Sequence, residues 1–293
     1  KVSANTFGSK LFVEGPLLDN GKSSFVFSGK TSYLDKSSEI LYKEPILYFD
    51  DKGLPYSYTD LYGKFSLHGN NGSKVNIFGF NFQDKVDYEG ISELNWTSQG
   101  IGSEFILIPG NSPVLIEGNF AYSSYDISLD EEASPLRTSG IDGFNMGFDF
   151  TYFQPKGKIK YGFDIHGFST DFTTYNSVNS KIEQKENTSE FSAYINYQFN
   201  TTRFIIEPGF RLQKYTLGVS PEPRLGMKYI ASDRMRFKVS SGYYSQNILS
   251  TTSDRDVVNL FSGIISSPEE VPDQADGNPY KNKFQKARHL IAG

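Results

Sequence analysis

In KIKYGFDIHGF (residues 158–168) apolar and polar side chains alternate. Ile159, Tyr161, Phe163 and Ile165 fall on one side of an extended chain, and Lys158, Lys160, Asp164 and His166 on the other. A period of two is the signature of a strand whose two faces meet different surroundings. RFIIEPGFRLQ (residues 203–213) repeats it, with Phe204, Ile206, Pro208, Phe210 and Leu212 opposed to Glu207, Arg211 and Gln213. The apolar side is built of large residues and recurs along the chain, while no helical periodicity supplies a layer to cover it.

Working outward, strands are predicted at 6–14, 22–33, 56–68, 74–84, 94–108, 113–128, 140–153, 158–172, 189–199, 203–215, 221–231, 235–249 and 284–292. Tight turns of Gly, Pro, Asn, Asp and Ser fall at GPLLDNGK (15–22), GNNGSK (69–74), PGNS (109–112), QPKGK (154–158), NTT (200–202) and ASDR (231–234); such clusters close hairpins. Between them lie polar connections near 34–55, 84–93, 126–140, 173–188 and 250–283, with a short one near Gly218. Alternation of turn and loop gathers the short turns at one end of a sheet and the long loops at the other. Transmembrane barrels are built this way. The expected fold is all-β: an antiparallel up-and-down transmembrane β-barrel, incomplete, of about thirteen strands.

Composition agrees. Aromatic residues make up 15%, with 25 Phe and 19 Tyr against a single Trp. The mean hydropathy is nevertheless −0.44, as for a wall that is greasy outside and wet inside. No run approaches the ~20 apolar residues of a membrane helix, so a membrane would be crossed by strands in a closed barrel. The chain has no cysteine, which excludes a disulfide framework and a thiolate metal site. A net charge of −5 is of the wrong sign for nucleic-acid binding. Lys1 opens in polar sequence, where no signal peptide is expected, and KNKFQKARHLIAG (281–293) is expected to enter a further strand. Bacterial barrels have even strand numbers, so the expectation is an internal barrel piece spanning 1–293, with plug domain and C-terminal strands absent.

Aromatic residues cluster near the strand ends. Phe150, Tyr152, Tyr197, Phe199, Phe204, Tyr229 and Phe237 flank short turns, and Tyr56, Tyr58, Tyr125, Phe172, Tyr215 and Tyr243 lie near the loops. Two bands predict paired membrane-interface girdles. SKVNIFGFNFQDK (73–85) disobeys: Phe78, Phe80 and Phe82 share one face while Val75 and Ile77 take the other. Either a bulge swaps the faces, or the inward face packs against something inside the barrel.

SPEPRLGMKYIASDRMRFKVSSGYYSQN (220–247) opens a strand with Pro-x-Pro-Arg-Leu, turns at Ser-Asp and closes on Gly-Tyr-Tyr-x-Gln. It resembles the barrel of TonB-dependent outer-membrane receptors, especially those of Bacteroidota. VEGPL (13–17), YTDLYGKFSLHGNNGSKVNIFGFNFQD (58–84) and KARHLIAG (286–293) are similar to the same family. The resemblance spans nearly the whole chain on loose motifs. It implies a plug domain, an energy-coupling box and a barrel of about 22 strands, of which this chain would be the middle. It also implies a place in the bacterial outer membrane, contact with its lipid, and energised import of a scarce ligand: a siderophore, haem, cobalamin, oligosaccharide or peptide. The implied partners are a TonB-type protein acting through the plug and a surface substrate-binding lipoprotein.

The chemistry-bearing residues are sparse. His68, His166 and His289 are too dispersed for a metal site. DQADGNP (273–279) lacks the alternating acids and closing Glu of a calcium loop, and the acidic run LDEEASP (129–135) is expected at a loop tip. No Ser/His/Asp set, phosphate loop or carboxylate pair points to catalysis, and no cofactor is implied. The candidate lumen-facing wall is Lys160, Asp164, His166, Glu207, Arg211, Arg224, Lys228, Arg236 and Lys238, with charges able to pair across neighbouring strands. Two rivals stand beside the receptor: a passive porin-like channel, separated from it by a plug domain, and a soluble β-rich adhesion or glycan-binding protein, which would be polar on both outer faces.

Overall fold

The computed structural model describes residues 1–17, 21–41, 54–88, 90–132, 134–176, 178–216, 218–251, 261–266 and 285–293. The strands are β1 (Val2–Ala4), β2 (Gly8–Pro16), β3 (Ser23–Ser32), β4 (Tyr56–His68), β5 (Lys74–Tyr88), β6 (Ser92–Leu107), β7 (Val114–Glu131) and β8 (Ser134–Gln154). They continue with β9 (Gly157–Tyr175), β10 (Lys181–Asn200), β11 (Phe204–Tyr215), β12 (Gly218–Ile230), β13 (Arg236–Gln246), β14 (Ile248–Thr251), β15 (Gly263–Ser266) and β16 (Gln285–Ala292). Among the described residues one short helix, α1 (Leu34–Leu41), lies between β3 and β4. Fourteen strands form a single antiparallel sheet in the order β1 through β13 and then β16, and β14 with β15 forms a separate two-stranded sheet. Among the described residues β1 and β16 do not pair, so the sheet is an open up-and-down wall.

All thirteen expected strands are present. The short β1, the β14–β15 hairpin and α1 were not legible, and the connections need correction. Three of the expected long loops are largely strand. β5 runs to Tyr88 and β6 starts at Ser92; β7 reaches Glu131 and β8 starts at Ser134; β9 reaches Tyr175 and β10 starts at Lys181. In these stretches the outward face turns polar, and the large apolar residues that remain, Val86, Tyr88, Ile127 and Leu129, fall on the charged face, so the belt pattern ends while the backbone ladder continues. Pairing of β9 with β10 is unbroken from Tyr175↔Lys181 to Gly157↔Phe199. The acidic run expected at a loop tip lies, in its described residues 129–132 and 134–135, at the end of the β7–β8 hairpin, with a register shift between Leu129 and Glu131. Only the links from β3 to β4 and from β13 to β16 are long; residues 273–279 lie outside the described residues.

Register assigns the faces, because directly paired residues share a face and neighbours along a strand alternate. Phe78, Phe80 and Phe82 lie on the same face as the charged residues. The pairing of β5 with β4 and β6 runs without a shift, which excludes a bulge in that strand. These rings instead cover glycines of β6. A Cβ on Gly100 would come within 2.9 Å of the Phe80 ring, and one on Gly102 within 2.7 Å of the Phe78 ring. The opposite face uses the same device, with Phe105 lying over Gly118 and Phe144 over Gly167. An aromatic ring over a strand glycine restores the contact that the missing side chain gives up.

A Cβ at Gly118 would sit 2.3 Å from the Phe105 ring. Gly118→Val is therefore expected to destabilise the sheet by about 1–3 kcal/mol, read as a lower urea midpoint of the refolded protein. Phe105→Ala in the same chain should restore part of that loss; an additive double mutant would contradict the packing.

Candidate functional site

The charged face carries a ladder of side chains from β7 to β13. Lys160 Nζ lies 2.9 Å from Asp149 Oδ2 and 3.9 Å from Glu117 Oε2. The Tyr194 hydroxyl donates to Asp149 as well. One step along, Asp164 receives the Arg211 guanidinium at 3.3 Å and the Ser192 hydroxyl at 3.2 Å. Arg211 Nε donates to Gln213 Oε1 (3.1 Å), whose amide nitrogen donates to Glu190 (3.1 Å). On β12 and β13, Glu222 binds Arg224 at 2.8 Å and accepts from Ser245 at 2.5 Å, and the Arg224 guanidinium stacks on Tyr244.

The structure thus joins Lys160, Asp164, Arg211 and Arg224 of the expected wall to partners. His166 stands on the same face between Asn145 and Glu190. Glu207, Lys228, Arg236 and Lys238 share that face nearer the short turns. Lys228 sits directly opposite Lys238, and no ion pair joins these four among the described residues. Asp149, Glu190, Ser192, Tyr194, Gln213 and Glu222 were missed. Each sits in a strand where alternation was visible, so the assigned register would have placed it beside the expected charge. Among the described residues no group of three or more His, Asp or Glu is gathered as a metal site.

The other face bears an apolar belt that starts at the short turns. On β8 it runs through Tyr152, Phe150, Phe148, Met146 and Phe144, on β9 through Ile159, Tyr161, Phe163 and Ile165, and on β10 through Phe199, Tyr197, Ile195, Ala193 and Phe191. It stops along one paired row that crosses six strands: Asn81↔Gln99↔Ser124↔Asp142↔Ser169↔Asn187. Beyond this row the same face carries salt bridges, Lys185 to Asp171 at 3.2 Å and Lys85 to both Asp87 and Glu93 at 3.0 Å. The aromatic residues flanking the short turns all lie on the belt face. The second expected girdle fails: Tyr56, Tyr58, Tyr125, Phe172 and Tyr215 point to the charged face, and only Tyr243 lies on the belt side. Proximity to a loop set their apparent place; parity sets the real one.

Little of this wall is shielded by the chain itself. Among the described residues the buried hydrophobic side chains are Val86, Leu94, Ile127, Tyr215 and Phe261, all on or against the charged face, while belt residues such as Ile195 (52%) and Phe120 (49%) are exposed. Exposed apolar surface that is contiguous over many strands marks contact with a membrane or a partner.

No family model and no curated protein matches the chain. Solved structures do. The chain is similar to the Serratia marcescens hemophore receptor HasR (TM-score 0.60, 8% identity, 97% of this chain and 48% of that one). It is similar to the alcaligin outer-membrane receptor FauA of Bordetella pertussis (0.61, 12%, 82% and 41%). It is also similar to BauA, the ferric preacinetobactin receptor of Acinetobacter baumannii (0.59, 11%, 97% and 49%). At these identities the likeness is one of fold: the chain has the architecture of a stretch of an outer-membrane receptor β-barrel, and it spans about half the length of the structures it matches.

Two outcomes are expected. In a double-mutant cycle, Arg211→Met and Asp164→Asn should couple by about 1 kcal/mol in urea unfolding; zero coupling would show the ladder is not formed. Beyond the belt, the Asn95 amide and then Lys85 hold the Glu93 carboxyl below its usual range, while Asp87 and then Glu93 hold the Lys85 ammonium above its own. The Glu93 contribution is present above the usual carboxylate range and lost as pH falls through the lowered pKa. The Lys85 contribution is present below the usual lysine range and lost as pH rises through the raised one. Lys85→Met should flatten both limbs of the thermal midpoint against pH.

Proposed function

We propose that this chain is part of the wall of a TonB-dependent receptor of the bacterial outer membrane, which imports a scarce ligand under energy supplied from the inner membrane. The observation that carries the reading is the uncovered apolar belt, bounded on one side by the short turns and on the other by a straight polar row. In lipid every backbone group must be paired within the protein, which restricts spanning structures to helices and closed barrels. A sheet that is greasy on one face and ion-paired on the other fits a barrel with lipid outside and water inside. On this reading residues 1–293 are a partial barrel domain, and the strands that close it and the plug lie outside this chain. Lys160, Asp164, His166, Glu207, Arg211, Arg224, Lys228, Arg236 and Lys238 line the lumen.

Two of the solved structures of similar fold are, by name, a hemophore receptor in complex with its hemophore and heme and a ferric preacinetobactin receptor. Together with the resemblance in sequence, this favours an importer over a passive pore or an enzyme. Lipid contacts the belt. A TonB-type protein acts through the plug, and a surface lipoprotein that hands over substrate is compatible with the same mouth.

Two measurements test this. Arg at Ile195, in the belt, should destabilise the membrane-inserted complete protein by about 2–4 kcal/mol, whereas Arg at Asn187 of the same strand should cost about 0–1 kcal/mol. Equal effects would remove the membrane boundary. For transport, cells carrying the complete gene should accumulate a ligand from a panel of ferric siderophores, haem, cobalamin and oligosaccharides, and lose that uptake when the energy-coupling protein is deleted. Uptake that survives the deletion would identify a passive channel.

A further inference from the structure

Between β13 and β16, residues 247–251 and 261–266 lie against the charged face of strands well removed from β13. The Asn247 side chain bonds to Glu190 on β10. The Ile264 amide donates to Ser139 Oγ on β8 (2.9 Å), the Ser266 and Thr170 hydroxyls share a buried hydrogen bond (3.2 Å), and Gln184 of β10 donates to the Ser266 carbonyl (3.0 Å). At the far end Phe261, 4% exposed, fills an apolar pocket of Val86, Leu94 and Ile127 rimmed by Trp96, Tyr125 and Phe172. The Arg137 guanidinium, held by Glu131 at 3.0 Å, lies over the Phe261 ring.

This pocket is the hydrophobic core cluster of the described chain, and it lies on the wet face, beyond the row where the outer belt ends. An apolar cluster there has no use in solvating a lumen. One ring of the cluster, Phe261, comes from a connection that is not part of the main sheet. The anchors on the way include hydrogen bonds from hydroxyls and amides, groups for which water can substitute.

We infer that residues 247–251 and 261–266 act as a built-in strap across the mouth of the wall, with Phe261 as its latch and the Trp96–Tyr125–Phe172 pocket as its catch. With the latch seated, the strap narrows the long-loop end of the lumen; with it withdrawn, the pocket faces the lumen. The inference rests on the reading of the charged face as the lumen of an outer-membrane barrel.

The test uses the complete protein in intact cells and a membrane-impermeant maleimide applied from outside. Asp130→Cys, on the outer face beyond the polar row, reports the membrane reading. Ile127→Cys, in the catch, reports the latch. The expected result is prompt labelling at position 130, protection at position 127, and labelling at 127 at least tenfold faster when Phe261→Ala is added. Phe261→Leu, which still fills the catch, should leave position 127 protected. Labelling of position 130 in the Phe261→Ala background shows that the barrel has assembled. If position 130 labels but the rate at 127 is the same with and without the Phe261 ring, whether fast or slow, the latch is refuted and the membrane reading stands. If position 130 does not label in intact cells but does in lysed ones, the membrane reading fails and the strap with it.

Discussion

An apolar sheet face that no part of the described chain covers is the constraint on which the rest of the structure depends. A sheet in water hides one face against a second layer. Here the buried hydrophobic cluster lies on the opposite, ion-paired face, and Phe148, Phe163, Ile195, Phe210 and their neighbours look outward. The environment must supply the missing layer. A lipid layer in turn requires that no backbone donor or acceptor be left open along the belt, which long uninterrupted ladders such as that between β9 and β10 provide.

Other features of the wall stand beside that requirement. Pro208 and Pro223 sit on the belt face of β11 and β12 and bring no N–H to the ladder; the pairing of β10 with β11 skips Glu207 and Pro208 and resumes at Ile206, while that of β11 with β12 runs through both positions. Glycines sit in mid-strand under Phe78, Phe80, Phe105 and Phe144, letting large rings lie flat along the wall. Strand length follows too. About 9–11 residues cross a bilayer when tilted, and β8, β9 and β10 are 21, 19 and 20 residues long. The excess carries the sheet past the polar row into a zone where Lys85, Asp171 and Lys185 face outward and pair. On the charged face the ion pairs interleave with hydroxyls and amides, so Asp149, missed in the sequence, and Asp164, expected there, are the partners that let Lys160 and Arg211 stand on a sheet with modest solvent access.

Much of this was legible because alternation is a local property. KIKYGFDIHGF and RFIIEPGFRLQ display both faces without any knowledge of their neighbours, and the charged residues singled out in them lie on one face. What failed was non-local. Most of the stretch at 173–188 is strand because a partner strand continues beside it, which its polar sequence does not announce, and at 126–130 Ile127 and Leu129 do alternate with Asp126, Ser128 and Asp130 but place their apolar side on the charged face. Phe78, Phe80 and Phe82 look like a membrane-facing triplet until their pairing with Gly100 and Gly102 is known. Tyr56, Tyr125 and Phe172 stand near loop ends, but whether each is an interface anchor or part of an inner wall is a matter of parity relative to strands far away in sequence. Phe261 was beyond reach for the same reason: its pocket is assembled from β5, β6, β7 and β9.

The central claim is that one face of this sheet meets lipid and the other meets water. Spin labels placed one at a time along β9 of the complete protein in bilayers, from Lys158 to Ser169, measure it directly through relaxation by oxygen and by a water-soluble nickel chelate. The account predicts a period of two, with oxygen dominating at positions 159, 161, 163 and 165 and nickel at 158, 160, 164 and 166, the oxygen signal fading at Ser169. Equal access of nickel to both sets of positions would contradict it.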